Sequence, residues 1–269
     1  MLVSLAGLVT GVPVPELPQP FVAAEPDPAL LELIETTLAG FPGTYSVVVH
    51  QLADGRYAAL NGGQVYYAAS LFKLGLLLEV YRQRDAGEVD LGQMLILNEE
   101  HVAHDFGTLE LLGLQEGDTI SLGDAVTAMI VLSDTPTAIM VQDVVGPARV
   151  DATLLSLGIE RTSFNDRNLP AVAEDIARLL EAIAAGEGVS EESRREMLSL
   201  LLQERIGQGV PVPLPEGTAV AHKTGNWTNA THSVAIVWGP AGPYVIVVMS
   251  DQPWTWEPIE EVSRAVWDY

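Results

Sequence analysis

The chain contains no cysteine, which excludes disulfides, thiolate metal sites and a thiol nucleophile. Lysine is almost as scarce: the 13 basic residues are eleven arginines and two lysines. Against them stand 36 acidic residues, for a net charge of −23. Such a charge repels phosphate backbones and anionic lipid, so nucleic acid is not expected as a partner. No apolar run reaches the ~18 residues of a membrane-spanning helix, and stable membrane insertion is not expected. A phosphate-cradling glycine loop and a dinucleotide fingerprint are both missing, and no cofactor is implied. With 269 residues, 48% hydrophobic and 18% charged, the chain is not a disordered one. It can bury the core of one large domain or of two coupled subdomains.

Residues 1–24 read as an N-terminal tail or the remnant of an export signal. The stretch is apolar and then interrupted by Pro13, Pro15, Pro18 and Pro20, and Val22–Ala24 offers a small-residue cleavage site. No basic residue precedes the apolar part, as an export signal would have. Asp27-Pro28 starts a helix that carries Leu30, Leu31, Leu33, Ile34 and Leu38, with Gly40 as its stop. Strands follow over 45–52 and 56–60, joined by a turn at Asp54-Gly55. From Ser70 the pattern is helical and apolar nearly all round, which predicts a buried helix. Further helices are expected over 121–132, 136–146, 173–186 and 190–203. Strands return over 218–224, 233–238 and 244–250, and a helix over 258–267 closes the chain. The order implies an α/β fold of the α+β type. An antiparallel sheet is flanked by N- and C-terminal helices (25–66 and 190–269), and an all-α subdomain (67–189) is inserted.

The two lysines stand out because an amine can lose its proton when buried, whereas a guanidinium cannot. Lys73 follows Ser70 by three residues, a spacing that brings hydroxyl and amine together on one helical face. Its neighbours Leu71, Phe72, Leu74 and Leu76–Leu78 supply a low-dielectric setting in which the amine can act as base for the serine. Read alone, the pair is equally a snorkelling lysine beside an N-cap serine. Lys223 stands in Ala221-His222-Lys223-Thr224-Gly225 at a strand end, where a cation, a hydroxyl and a glycine can hold a carboxylate. An exposed lysine before an ordinary turn has the same sequence. Ser133-Asp134-Thr135-Pro136 joins two apolar runs and reads either as a helix start or as a serine that relays a proton.

Taken together, S-x-x-K on a helix start, S-D-T between helices and K-T-G on a strand end resemble the signature of the penicillin-recognising serine hydrolases, closest to class A β-lactamases. The resemblance covers approximately residues 27–269. It implies a β-lactamase/transpeptidase-like fold with Ser70 as acyl-enzyme nucleophile, Lys73 as candidate base and Ser133 as proton shuttle. Lys223, Thr224, Gly225, Asn226 and Thr135 would bind substrate, with the Ser70 and Asn226 amides as oxyanion donors. The implied substrate is a β-lactam or a D-Ala-D-Ala-type amide, and the implied setting a monomer in the periplasm or outside the cell. A D-Ala-D-Ala carboxypeptidase, an esterase or amidase, and a non-catalytic binding module are the alternatives on the same scaffold.

Three departures bear on chemistry. Thr135 stands where the family usually has Asn. The stretch Arg161–Pro170 lacks the family's deacylating glutamate, leaving Asp166 as base or merely as a turn residue. No basic residue follows Lys223 until Arg264. The resemblance thus implies acylation with slow release. His101 and His104 share a spacing but gather no third ligand, so no metal site is expected. His222 and His232 are expected on the site's rim, and Trp227 with Tyr66 or Tyr67 as an apolar wall.

Overall fold

The computed structural model describes residues 11–269. The first ten residues of the 1–24 tail, with whatever export signal they carry, lie outside the described residues. From residue 11 the tail runs along the folded body: Leu17 is buried, and Trp238 Nε1 donates to Glu16 O at 3.0 Å.

The first elements are β1 (Glu25–Pro26), α1 (Pro28–Leu38), β2 (Tyr45–Gln51) and β3 (Arg56–Leu60). Next, β4 (Val65–Tyr67) leads through a 3-10 turn, Ala69–Leu71, into α2 (Phe72–Asp85). The helical middle holds α3 (Glu99–Val102), α4 (Thr108–Leu112), α5 (Leu122–Val131), α6 (Thr135–Val145) and α7 (Pro147–Ser156). Within it, β5 (Met94–Ile96) pairs with β6 (Thr119–Ser121), and β4 pairs with β7 (Pro170–Val172). After α8 (Ala173–Ala185) and α9 (Glu191–Leu201) come β8 (Val220–Trp227), β9 (Ala230–Gly239), β10 (Gly242–Ser250) and α10 (Glu257–Asp268).

Six strands form the main sheet in the order β1-β3-β2-β10-β9-β8, antiparallel except for the β1–β3 pair. Both faces are covered, and the strands alternate between two cores as the period of two requires. Val47, Val49, Ile246 and Val248 face Leu30, Ile34 and Leu38 of α1 and Ile259, Val262 and Val266 of α10. Val48, Val245, Val247 and Met249 face the larger core built with α2, α5, α6, α8 and α9. Asp27 caps α1, its Oδ1 accepting from Ala29 N and Leu30 N at 3.1 Å each. The expected elements are present. Those the sequence did not announce are α7, the short α3 and α4, β1 and the two small strand pairs. Most are three- to five-residue pieces whose pairing is set by tertiary neighbours.

Helix α2 is the axis of the helical part, and most of its length is buried. Gly75 permits this: a Cβ there would stand 2.6 Å from Phe164 Cδ2 and 2.9 Å from Val150 Cγ1. Phe164 belongs to the 161–170 loop, whose Leu169 O accepts from Ala68 N at 2.8 Å. The loop is thereby tied to the turn that presents Ser70. Among the described residues, no helix is long and apolar enough to cross a membrane.

Candidate active site

Ser70 sits in the 3-10 turn just ahead of α2, with strand β8 running beside it. Five non-glycine residues among those described have positive φ, and three of them, Ala69 (47°), Ser133 (54°) and Trp254 (56°), line one cavity with Ser70. Backbone held in this sparsely populated region persists only where surroundings enforce it, and it concentrates at functional sites.

Below the serine, Lys73 is completely buried. Its Nζ lies 3.1 Å from Ser70 Oγ, 2.5 Å from Ser133 O, 3.2 Å from Ser133 Oγ and 3.3 Å from Thr135 Oγ1. Burial pushes the amine well below the ordinary lysine value. Lys223 pushes the same way, and Asp134 and Glu204 oppose. A neutral amine keeps two N–H donors and gains one lone pair, enough to donate to Ser133 O and accept the Ser70 proton. Asp134 works through the backbone: its Oδ1 caps α6 by accepting from Thr137 N at 2.7 Å, and Oδ2 accepts from Thr108 Oγ1.

The structure therefore gathers Ser70, Lys73, Ser133 and Thr135 into one hydrogen-bonded group. Asn226 lines the same cavity. Gly225 faces the serine, and a Cβ there would stand 3.1 Å from Ala68 O and 3.2 Å from Ser70 N. Its constraint is space, since its φ is unremarkable. Gly225→Ala is expected to push β8 off the Ser70 amide and lower kcat about tenfold while leaving Tm nearly unchanged. Steady-state kinetics beside a thermal melt check this.

Other expected site residues lie elsewhere. Asp166 is exposed and closes a turn, its Oδ1 accepting from Asn168 N at 2.7 Å, and it does not line the cavity. Lys223 and Thr224 are buried behind the cavity wall because both are engaged by Glu204, which the sequence reading passed over. Glu204 pairs with Lys223 Nζ, accepts from Thr224 N at 3.1 Å and Thr224 Oγ1 at 3.0 Å, and lies 2.7 Å from His222 Nδ1. Burial alone would raise its pKa, but Lys223 and His222 outweigh that and bring it to about 2. The one sequence signal was indirect: a fully buried lysine needs a counter-charge.

His222 and His232 are not on the rim. His222 faces Glu204, and His232 is buried with Nε2 2.9 Å from Tyr67 O. Tyr66 is also internal, its hydroxyl 3.1 Å from Ser46 Oγ, whereas Tyr67 and Trp227 do line the cavity. Three further aromatic residues, Phe72, Phe106 and Trp254, join them there. No cluster of three metal-ligating side chains occurs among the described residues. His101 instead bonds Asp143 and caps α3.

A serine hydroxyl on a strained turn, beside a desolvated amine and a second serine, is the arrangement of a serine hydrolase. The model of the β-lactamase enzyme family matches residues 29–269, and the chain belongs to that family, within the penicillin-recognising serine hydrolases. It is 26% identical over 251 residues to the extended-spectrum β-lactamase PER-1 of Pseudomonas aeruginosa, covering 85% of this chain and 81% of PER-1. The solved structure of PBP-A superposes with a TM-score of 0.85 at 26% identity, covering 92% of this chain and 98% of PBP-A. A PBP-A mutant has also been solved as an acyl-enzyme complex with penicillin G. A β-lactamase from Sphaerobacter thermophilus gives a TM-score of 0.79 at 26% identity, covering 89% of this chain and 95% of that one.

Proposed function

We propose that this protein is a serine acyl-transferring hydrolase that opens β-lactam or related amide and ester bonds through an acyl-enzyme on Ser70 and releases the acyl group slowly. The observation that carries the reading is the 3.1 Å contact between Ser70 Oγ and the buried Lys73 amine. In the first half-reaction Lys73 Nζ takes the hydroxyl proton as Oγ bonds to the carbonyl carbon. The C–N or C–O bond then breaks, and the proton passes through Ser133 Oγ, 3.2 Å from Nζ, to the leaving atom. The penicillin G acyl-enzyme of PBP-A, a protein of the same fold, supports this half.

Release needs a water and a base placed against the ester. Among the described residues, no Asp or Glu lines the cavity, and Asp166 is committed to its turn. This supports acylation outrunning deacylation. With a chromogenic cephalosporin, the expected trace is a burst of about one equivalent and then a slow steady state. Linear turnover from the first instant contradicts slow release, and a D-Ala-D-Ala peptide run alongside separates the two amide substrates.

Lys73 must be neutral to act, so acylation is expected to rise with pH along a single ionisation, its midpoint below the ordinary lysine value. Lys73→Arg, which cannot deprotonate, is expected to abolish that limb and to cost 10²–10⁴-fold, an order-of-magnitude figure for a lost general base. Stopped-flow acylation across pH reads both.

A further inference from the structure

The cleft beside Ser70 has a volume of about 550 Å³ and, among the described residues, no Asp, Glu, Lys or Arg in its lining. Its walls are aromatic. Trp227 lies 6.2 Å from Tyr67 and 5.8 Å from Phe106, centroid to centroid, and Phe106 and Trp254 are largely exposed to the opening. Both lysines, Lys73 below the serine and Lys223 on the adjacent strand β8, are buried. Lys73 is enclosed by hydroxyls and a carbonyl, and Lys223 is paired with Glu204 and donates to Thr224 O at 3.1 Å. Thr224 spends its amide and hydroxyl on the same carboxylate. The arrangement is locked from below: Arg205 N donates to Val131 O at 2.9 Å, so the 204–206 segment puts Glu204 under Lys223 and Ile206 on the cavity wall.

We propose that this site selects acyl donors without a carboxylate, namely esters, amides or lactams bearing an apolar or aromatic group, because Glu204 occupies the Lys223–Thr224 anion position itself. The proposal rests on the acyl-transfer reading above and adds the substrate class to it. A substrate carboxylate would enter a cleft whose walls carry no cation, on a chain of net charge −23, beside an anion already seated on Lys223. It would lose its hydration and gain no counter-charge. An uncharged donor pays no such cost, and its rings gain contact with Tyr67, Phe106, Trp227 and Trp254. The covalent step is unchanged: Ser70 Oγ bonds to the acyl carbon, and alcohol or amine departs with the relayed proton.

The test compares penicillin G with its methyl ester, one acyl donor with and without the anion. It is run at about pH 8. The acylation rate constant on Ser70 is expected to be at least about tenfold larger for the ester. A smaller ratio, equality or a preference for the free acid overturns the proposal. Glu204→Gln, if it folds, is expected to raise the free acid relative to the ester, and an unchanged ratio removes Glu204 as the determinant. The wild-type ratio decides the substrate class even if that variant does not fold. Silence on both compounds, and on p-nitrophenyl butyrate against a Ser70→Ala control, defeats the acyl-transfer reading itself. A free-acid preference with Ser70 labelled defeats only the substrate class.

Discussion

Ser70→Ala is expected to lower hydrolysis of every substrate by on the order of 10⁴-fold or more, with the fold and melting temperature retained. The serine side chain reaches into the cleft, half-buried, and the helix behind it does not depend on its hydroxyl. The 3-10 turn has no side-chain cap, and α2 is held by Leu74, Leu76, Leu77 and Leu78 in the core. Deleting Oγ removes the proposed nucleophile while leaving Lys73 hydrogen-bonded to Ser133. Residual rate then reflects substrate binding and backbone amides alone. Initial rates on the chromogenic cephalosporin and on p-nitrophenyl butyrate, paired with circular dichroism, read the effect. Activity within a few-fold of wild type would assign the hydrolysis to another group.

Glu204→Ala is expected to destabilise the protein by about 3–5 kcal/mol, because it strands the Lys223 ammonium in the interior without a counter-charge. Glu204 and Lys223 are both fully enclosed, and Thr224 loses its acceptor in the same substitution. Urea denaturation measures the loss. The double variant Glu204→Met with Lys223→Met is expected to recover most of it, since an apolar pair costs no desolvation. A loss below about 1 kcal/mol would place the pair in the range of solvated surface ion pairs. The pH dependence has a definite sign. Glu204 titrates at about 2 when folded and near 4.5 otherwise, so its stabilisation is complete above 4.5 and lost as pH falls toward 2. His232, buried as the neutral ring, titrates at about 4 instead of 6.5 and removes stability as pH falls between those values. Both losses run toward acid.

Much of this was legible in the residues. Ser70 and Lys73 announce themselves because i and i+3 share a helical face and because the chain uses lysine only twice. The strands expected over 45–52 and 244–250 follow from valine- and isoleucine-rich runs, the one over 56–60 from the turn at Asp54-Gly55, and Asp27-Pro28 starts α1 as read. Glu204 was not legible. It lies in the loop after α9, 19 residues from Lys223, and meets it only because Arg205 anchors that loop to Val131. Nothing in its local sequence distinguishes it from the other acidic residues. Lys223 at a strand end reads as a cation offered to substrate, and the packed structure shows it buried and paired with Glu204. Phe106 and Trp254 join the aromatic wall through tertiary placement, at separations no periodicity encodes.

Peptide mapping of the covalent adduct tests the central claim most directly. After incubation with penicillin G and, separately, its methyl ester, the acyl mass is predicted on the peptide carrying Ser70 and to be absent from Ser70→Ala. An adduct on any other residue, or none from either compound while hydrolysis proceeds, would contradict the claim that the hydroxyl beside Lys73 carries the reaction.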